Sequence, residues 1–423
     1  MRDETLCLHA GYTPGNAEPR VLPIVQSTTY VYDSTEDVAS VFDDPTKGLI
    51  YSRFANPTVM AVEQKISELE GGVGAICASS GQAAVLLSVL NICSAGDSII
   101  SLPTIYGGTI NLFKITLKKL GIECIFLDRD AGEAEINAAF KPNTKAVYGE
   151  MLANPSLKVL DIVKFANAAH ARGVPLIVDS TLASPILCKP IGFGADIVVH
   201  STSKYMDGHA LQVGGVIVDS GRFDWNNGKF PGLVEPDESY HGISYTQTYG
   251  KSAYIVKARM QLMRDFGVYP SAHSAFLLNI GLETLAIRMQ RYCENAAVVA
   301  RFLAESEYVE KVTYPGLESD DSYGLAQKYL KGAGGVISFN IKGGKACAIK
   351  FMDALKLASN EVHVCDIRTG VLHPASATHR QLNDEQLRAA GVHPGMIRFS
   401  VGLENVEDIL DDIRLGFKAI AGA

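Results

Sequence analysis

Val174-Pro-Leu-Ile-Val-Asp179-Ser-Thr181 and, further on, Ala195-Asp-Ile-Val-Val-His200-Ser201-Thr202-Ser203-Lys204-Tyr205 are the stretches on which the fold turns. Each is a short apolar run, as a buried strand requires. The first ends in an acid, the second in hydroxyls and a lysine. About one strand–helix–strand step separates Asp179 from Lys204.

The same rhythm extends outward. Apolar runs at 75–78, 98–102, 123–127, 146–149, 175–178 and 196–200 alternate with helical patterns at 82–91, 111–120 and 162–172. Strands alternating with helices predict β-α-β units and a mainly parallel sheet. Ligands on such sheets bind beyond the carboxyl ends of the strands, where Asp179 and Lys204 are expected.

Further helices are expected at 58–69, 252–263, 275–305 and 406–420. Residues 1–55 lack strong periodicity and read as an extended arm that needs another surface. Residues 220–250 interrupt the rhythm with Gly, Pro, aromatics and the only tryptophan, Trp225. A long irregular segment of this kind is functional or disordered, and its aromatics favour the former. The boundaries follow as an arm over 1–55, a large domain over 56–265 containing the loop 219–250, and a C-terminal domain over 266–423.

Composition narrows the functional classes. The chain has 423 residues, 47 % of them hydrophobic and 20 % charged, so a large core is expected and intrinsic disorder is not. A net charge of −8 argues against a general nucleic-acid binder. No stretch approaches the ~18 apolar residues of a membrane span, and the N-terminus leads into no apolar signal region. Eight cysteines without a Cys-x-x-Cys pair read as reduced thiols of a cytoplasmic protein. No metal-ligand set is expected.

The chemistry gathers at three places. In Ala75-Ile-Cys-Ala-Ser79-Ser80-Gly81-Gln82-Ala83-Ala84 a strand runs into a helix. Gly81 allows close backbone approach, and free N–H groups at a helix start favour an anion. Asp179 at the end of a hydrophobic strand needs a partner, such as a cationic ring nitrogen. Lys204 is expected to be desolvated, which frees its amine for Schiff-base chemistry. Ser201 and Ser203 alternate along the strand and can bind one phosphate together. An amine, an acid and a phosphate cradle are the parts that pyridoxal phosphate needs.

On these residues the sequence resembles the Cys/Met-metabolism family of fold-type I pyridoxal-phosphate enzymes. The resemblance spans nearly the whole chain, from Leu8-His9-Ala10-Gly11 to Arg398-Phe-Ser-Val-Gly-Leu-Glu404. It is carried by Tyr51-Ser-Arg53-Phe-Ala-Asn56-Pro57-Thr58, Ser80-Gly81-Gln82-Ala83-Ala84, Tyr106-Gly107-Gly108-Thr109, Asn154-Pro155, His200-Ser-Thr-Ser-Lys204-Tyr205 and His373-Pro-Ala-Ser-Ala-Thr378-His379.

It implies an α/β, aspartate-aminotransferase-like architecture with a mainly parallel large-domain sheet and a smaller α+β C-terminal domain. It implies that Lys204 bonds the cofactor and shuttles protons, with Tyr106 stacking on the ring and assisting proton transfer. Asp179 would hold the pyridinium nitrogen, and Asn154 would lie near the ring's phenolic oxygen. Gly81, Gln82, Ser201 and Ser203 would bind the phosphate, joined by Tyr51 and Arg53 from a neighbouring subunit. Arg398 would clamp the substrate carboxylate, with Ser359 nearby. The implied assembly is a homotetramer of site-sharing dimers.

Within the family, 219–250 and Gly108 resemble the branch that makes L-homocysteine from O-acetyl-L-homoserine and sulfide. The implied partners are an amino-acid substrate and a sulfur donor. Methionine γ-elimination is the alternative. Four features depart from the branch: Ala210-Leu211-Gln212 replaces a smaller, more polar stretch, His363 and Cys365 stand where Asn and Gly are expected, and Lys251 stands where an acid is common.

Overall fold

A computed structural model describes the chain apart from residues 45, 129, 378–379, 381–392 and 422–423. Thr378 and His379 of the expected motif lie outside the described residues.

The six apolar runs form strands, β1 Gly74–Ala78, β2 Ser98–Ser101, β3 Glu123–Phe126, β4 Thr144–Glu150, β5 Leu176–Asp179 and β6 Ile197–Ser201. A seventh, β7 Gly215–Asp219, was not among the expected runs. The sheet order is β1-β7-β6-β5-β4-β2-β3. β2 to β6 pair in parallel, whereas β7 is antiparallel to both β6 and β1. No helix links β6 to β7, and a strand that returns without a crossover runs antiparallel. β5 and β6 are buried on both faces, which explains their unbroken apolar composition.

A second sheet comprises β8 Val309–Thr313, β9 Val336–Ile341, β10 Ser359–Asn360, β11 Gly370–Leu372 and β12 Met396–Ser400, in the order β10-β11-β12-β9-β8. Phe339, Ile397 and Phe399 pack in its core with Phe351 of helix Gly344–Ala354 and Ile413 of helix Val406–Ile420.

Two local expectations change. The single helix expected at 275–305 is two, Ala272–Glu283 and Leu285–Ala304, with Thr284 between them. Thr284 Oγ1 donates back to Gly281 O at 3.4 Å, a bond that competes with the helical ladder. The arm is not wholly extended: Asp3–His9 and Thr35–Asp43 are helical. The first buries Leu6 and Cys7, and Asp3 pairs with Lys189 and Lys331 at 2.6 and 2.8 Å. A seven-residue helix is too short to show a period and depends on such tertiary contacts.

The segment 220–250 is ordered by aromatics. Trp225, 3 % exposed, stacks on Tyr254 at 5.1 Å and meets Phe223 and Phe230 edge-on. Its first half leaves the carboxyl end of antiparallel β7, where the Ser220 amide bonds Asp196 O. That is the end of the sheet opposite Lys204. Its second half returns through helix Tyr245–Tyr249.

Candidate active site

Parallel pairing aligns the ends of β4, β5 and β6. Glu150 sits beside Asp179 in the register of β4 and β5, and Ser201 ends β6. Asp179 is buried, its Oδ1 accepts from the Thr181 amide at 2.9 Å, and its Oδ2 accepts from Tyr148 OH at 3.3 Å. Burial raises its pKa against the opposing effect of Thr181. A cation set against this carboxylate would relieve that penalty.

Glu150 is an acid the sequence reading passed over. It ends the run Ala146-Val-Tyr-Gly-Glu150 as Asp179 ends its own, so the same signal was present. Burial pushes its pKa well up, with Asp179 adding to the effect. Its Oε2 accepts from the Tyr106 amide at 2.6 Å and so anchors that residue.

The phosphate candidates converge at the start of helix Gly81–Leu90. Ser80 caps it, Oγ accepting from the Ala83 amide at 3.1 Å. A Cβ on Gly81 would lie 2.6 Å from Ser201 Cβ, so only glycine lets this turn sit on β6. Ser201 and Ser203 hydroxyls are 3.3 Å apart, and Gln82 Nε2 donates to Thr109 Oγ1 at 3.2 Å. Bare amides at a helix N-terminus beside two hydroxyls suit a phosphate.

Lys204 follows at once. Burial lowers its pKa, and the Arg398 cation adds to that; Cys365 opposes it. The amine is therefore poised nearer its neutral, nucleophilic form. Its Nζ lies 3.3 Å from His363 Nδ1. His363 is pushed down to about 4 by burial, then by the Lys204 cation, and is neutral near pH 7.

Arg398 is buried on β12, and Nη2 donates to the carbonyls of Val362 and His363 at 2.8 and 2.9 Å. Its Nη1 approaches Asn154 Oδ1 at 3.5 Å. A cleft of about 380 Å³ joins Tyr106, Gly108, Asn154 and Arg398.

Ser359 is not placed beside Arg398. It is exposed on edge strand β10, and its amide bonds Thr369 O. The chain beside the guanidinium is Val362–His363, because β10 ends at Asn360 and the following residues cross toward Lys204. A signal for His363 existed, since the residue departs from the family pattern.

Tyr51 and Arg53 stay in the arm. Tyr51 is 41 % exposed and bridges Thr29. Arg53 Nη1 donates to Arg264 O at 3.0 Å, while its buried Nε has no partner among the described residues. The Arg264 guanidinium lies 5.1 Å from the ring centre of Tyr240, in the 219–250 segment.

These residues fit pyridoxal phosphate. The Gly81 turn packs directly on Ser201 and so brings the helix-start amides beside the Ser201 and Ser203 hydroxyls, the buried Asp179 suits a cationic ring nitrogen, and Lys204 supplies a desolvated amine.

Comparison with known proteins agrees. The family model described as Cys/Met metabolism PLP-dependent enzyme matches residues 4–418. The O-acetyl-L-homoserine sulfhydrylase of Corynebacterium glutamicum is 45 % identical, with 99 % of this chain and 97 % of that protein covered. The homocysteine synthase of Schizosaccharomyces pombe is 45 % identical, with coverage of 97 % and 96 %. A Campylobacter jejuni chain, solved with N′-pyridoxyl-lysine-5′-monophosphate, is 34 % identical with a TM-score of 0.94, and both chains are covered in full.

Proposed function

The chain belongs to the Cys/Met-metabolism family of pyridoxal-phosphate-dependent enzymes, and from that premise we propose that it makes L-homocysteine and acetate from O-acetyl-L-homoserine and sulfide. The observation that carries this reading is the grouping of Lys204 and Arg398 around His363, beside the cleft that Tyr106 and Gly108 line. Similarity to sulfhydrylases and homocysteine synthases supports the substrate.

Pyridoxal phosphate, when bound, supplies an electron sink at the substrate Cα. Gly81, Gln82, Ser201 and Ser203 would hold its phosphate, Asp179 its ring nitrogen, Asn154 the region of its phenolic oxygen, and Lys204 its aldehyde carbon. Arg398 binds the substrate α-carboxylate, a planar match of fork to carboxylate. With the cofactor held there, Lys204 Nζ would take the substrate's Cα proton. A second proton would leave Cβ as acetate departs from Cγ; sulfide would then add at Cγ, and protons would return to Cβ and Cα to give homocysteine. Tyr106 and Lys204 handle these protons, each positioned group contributing roughly 10²–10⁴-fold.

The assembly would be a homotetramer of dimers that share sites, with Tyr51 and Arg53 completing a neighbour's phosphate cradle. The unpartnered Arg53 Nε and the exposed apolar arm residues Val21, Val31 and Phe42 support that reading. A cytoplasmic setting accords with eight free cysteines, and no described helix is long and apolar enough to cross a membrane. The divisions 1–55, 56–265 and 266–423 would be the arm, cofactor domain and C-terminal domain.

The test is a product assay. Homocysteine should form from O-acetylhomoserine plus sulfide, and Lys204→Ala should abolish it. 2-Oxobutyrate from methionine as the main product would replace this reading with γ-elimination.

A further inference from the structure

His363 joins two parts of the site that otherwise belong to different domains. Its ring Nδ1 is 3.3 Å from Lys204 Nζ, and its backbone carbonyl accepts from Arg398 Nη2 at 2.9 Å. Its second ring nitrogen, Nε2, is buried with no hydrogen-bond partner among the described residues. We propose that His363 is a positioning residue that holds the Lys204 amine by a hydrogen bond to Nδ1 while its backbone holds the carboxylate clamp. The inference rests on the lysine chemistry proposed above.

A protonated Lys204 has N–H donors and no acceptor. Nδ1 facing it must therefore accept, which places the imidazole proton on Nε2. The groups around the pair permit this neutral tautomer. Arg398 and Arg368 are cations near His363, and Asp366 is the one acid acting on it. Cys365 and Glu361 face Lys204 from the same crossing segment, and Arg398 from β12. Asp366 is engaged by Arg368 at 2.8 Å, so it does not claim the imidazole.

The consequence concerns the moment when Lys204 holds a proton taken from substrate. An ammonium buried near Arg398 is unfavourable unless it has an acceptor. Nδ1 supplies that acceptor on an element other than the one carrying Lys204, so the amine is aimed by tertiary structure. An Asn at this place offers an amide oxygen that can do the same, whereas an aliphatic side chain cannot.

The test compares the native protein with His363→Leu and His363→Asn. In cofactor-free protein, the pH dependence of Lys204 labelling by an amine-selective reagent, read at that residue by peptide mass, reports its pKa. His363→Leu should lower that pKa by about one unit, the size of one lost bond to a charged donor. His363→Asn should return it toward the native value. With cofactor bound, His363→Leu should lower kcat about tenfold with KM little changed, because the carbonyl that holds Arg398 is backbone. If His363→Leu does not fold, the native-to-Asn comparison decides: kcat and the Lys204 pKa should both be retained. An unshifted Lys204 pKa in His363→Leu, or an Asn variant that loses both, overturns the proposal. Native protein that makes no homocysteine while the labelling shift persists would strike the reaction and leave the His363–Lys204 link standing.

Discussion

Tyr106 lies against Gly108, where a Cβ would meet Tyr106 Cε1 at 2.5 Å and Gln82 Nε2 at 3.1 Å. One glycine thus sets the pose of the ring and leaves room for Gln82, the side chain proposed to hold the phosphate. Gly108→Cys should displace the Tyr106 ring and lower kcat/KM for homocysteine formation about tenfold or more, within the range of one positioned acid–base group. Steady-state kinetics with O-acetylhomoserine and sulfide measure it, and an unchanged kcat/KM would show that the ring pose is irrelevant.

Gly81 makes the corresponding contact with β6. An added Cβ would press on Ser201 at 2.6 Å to Cβ and 2.9 Å to Cα, the second a backbone atom that cannot turn aside. Gly81→Ala should cost about 1–3 kcal/mol of stability by overpacking. It should also weaken the cofactor about tenfold or more, because Ser201 is proposed to hold its phosphate; each tenfold is ~1.4 kcal/mol. Thermal unfolding of the cofactor-free protein and a pyridoxal-phosphate titration separate the two effects.

Trp225 illustrates a role in stability remote from chemistry. It is buried against Tyr254, Phe223 and Phe230, in the part of the loop that leaves the end of the sheet opposite Lys204. Trp225→Ala should cost about 3–5 kcal/mol and leave kcat of the folded protein unchanged. Urea unfolding alongside kinetics checks this; a large fall in kcat at full folding would place the loop's first half in the reaction.

At that same remote end, His170 Nε2 pairs with the buried carboxylate of Asp196 at 2.7 Å, and Asp196 Oδ2 also accepts from the Leu176 amide at the start of β5. The hydrogen bond to Asp196 raises the His170 pKa above its ordinary 6.5. The folded state thus binds the proton more tightly, so this stabilisation is full below pH 6.5 and is lost as pH rises through the raised value. The stability difference between native protein and His170→Gln should therefore shrink as pH climbs above neutrality. Denaturant midpoints at several pH values measure it, and a difference that grows with pH would contradict the pairing.

The strands β1 to β6 and the residues at their ends were legible in the sequence because each is a local pattern. An apolar run closing on Asp179, or on Ser201 to Lys204, marks a strand and its ligand-facing end whatever surrounds it. Helix Val406–Ile420 was readable for the same reason. β7 was harder to see, since Gly215–Asp219 is a strand only by pairing with β1 and β6.

Other decisions belonged to tertiary structure alone. Sheet register set Glu150 beside Asp179, and the antiparallel run of β7 carried Trp225 away from the site. The crossing after β10 put His363, and not Ser359, beside Arg398 and Lys204. The sequence by itself determined which chemistry the chain carries: an amine, an acid and an anion cradle at strand ends. Which side chains hold that chemistry in place depended on contacts between residues far apart in the chain. Periodicity records the environment of one element at a time, and such partners are chosen only when the two sheets pack together.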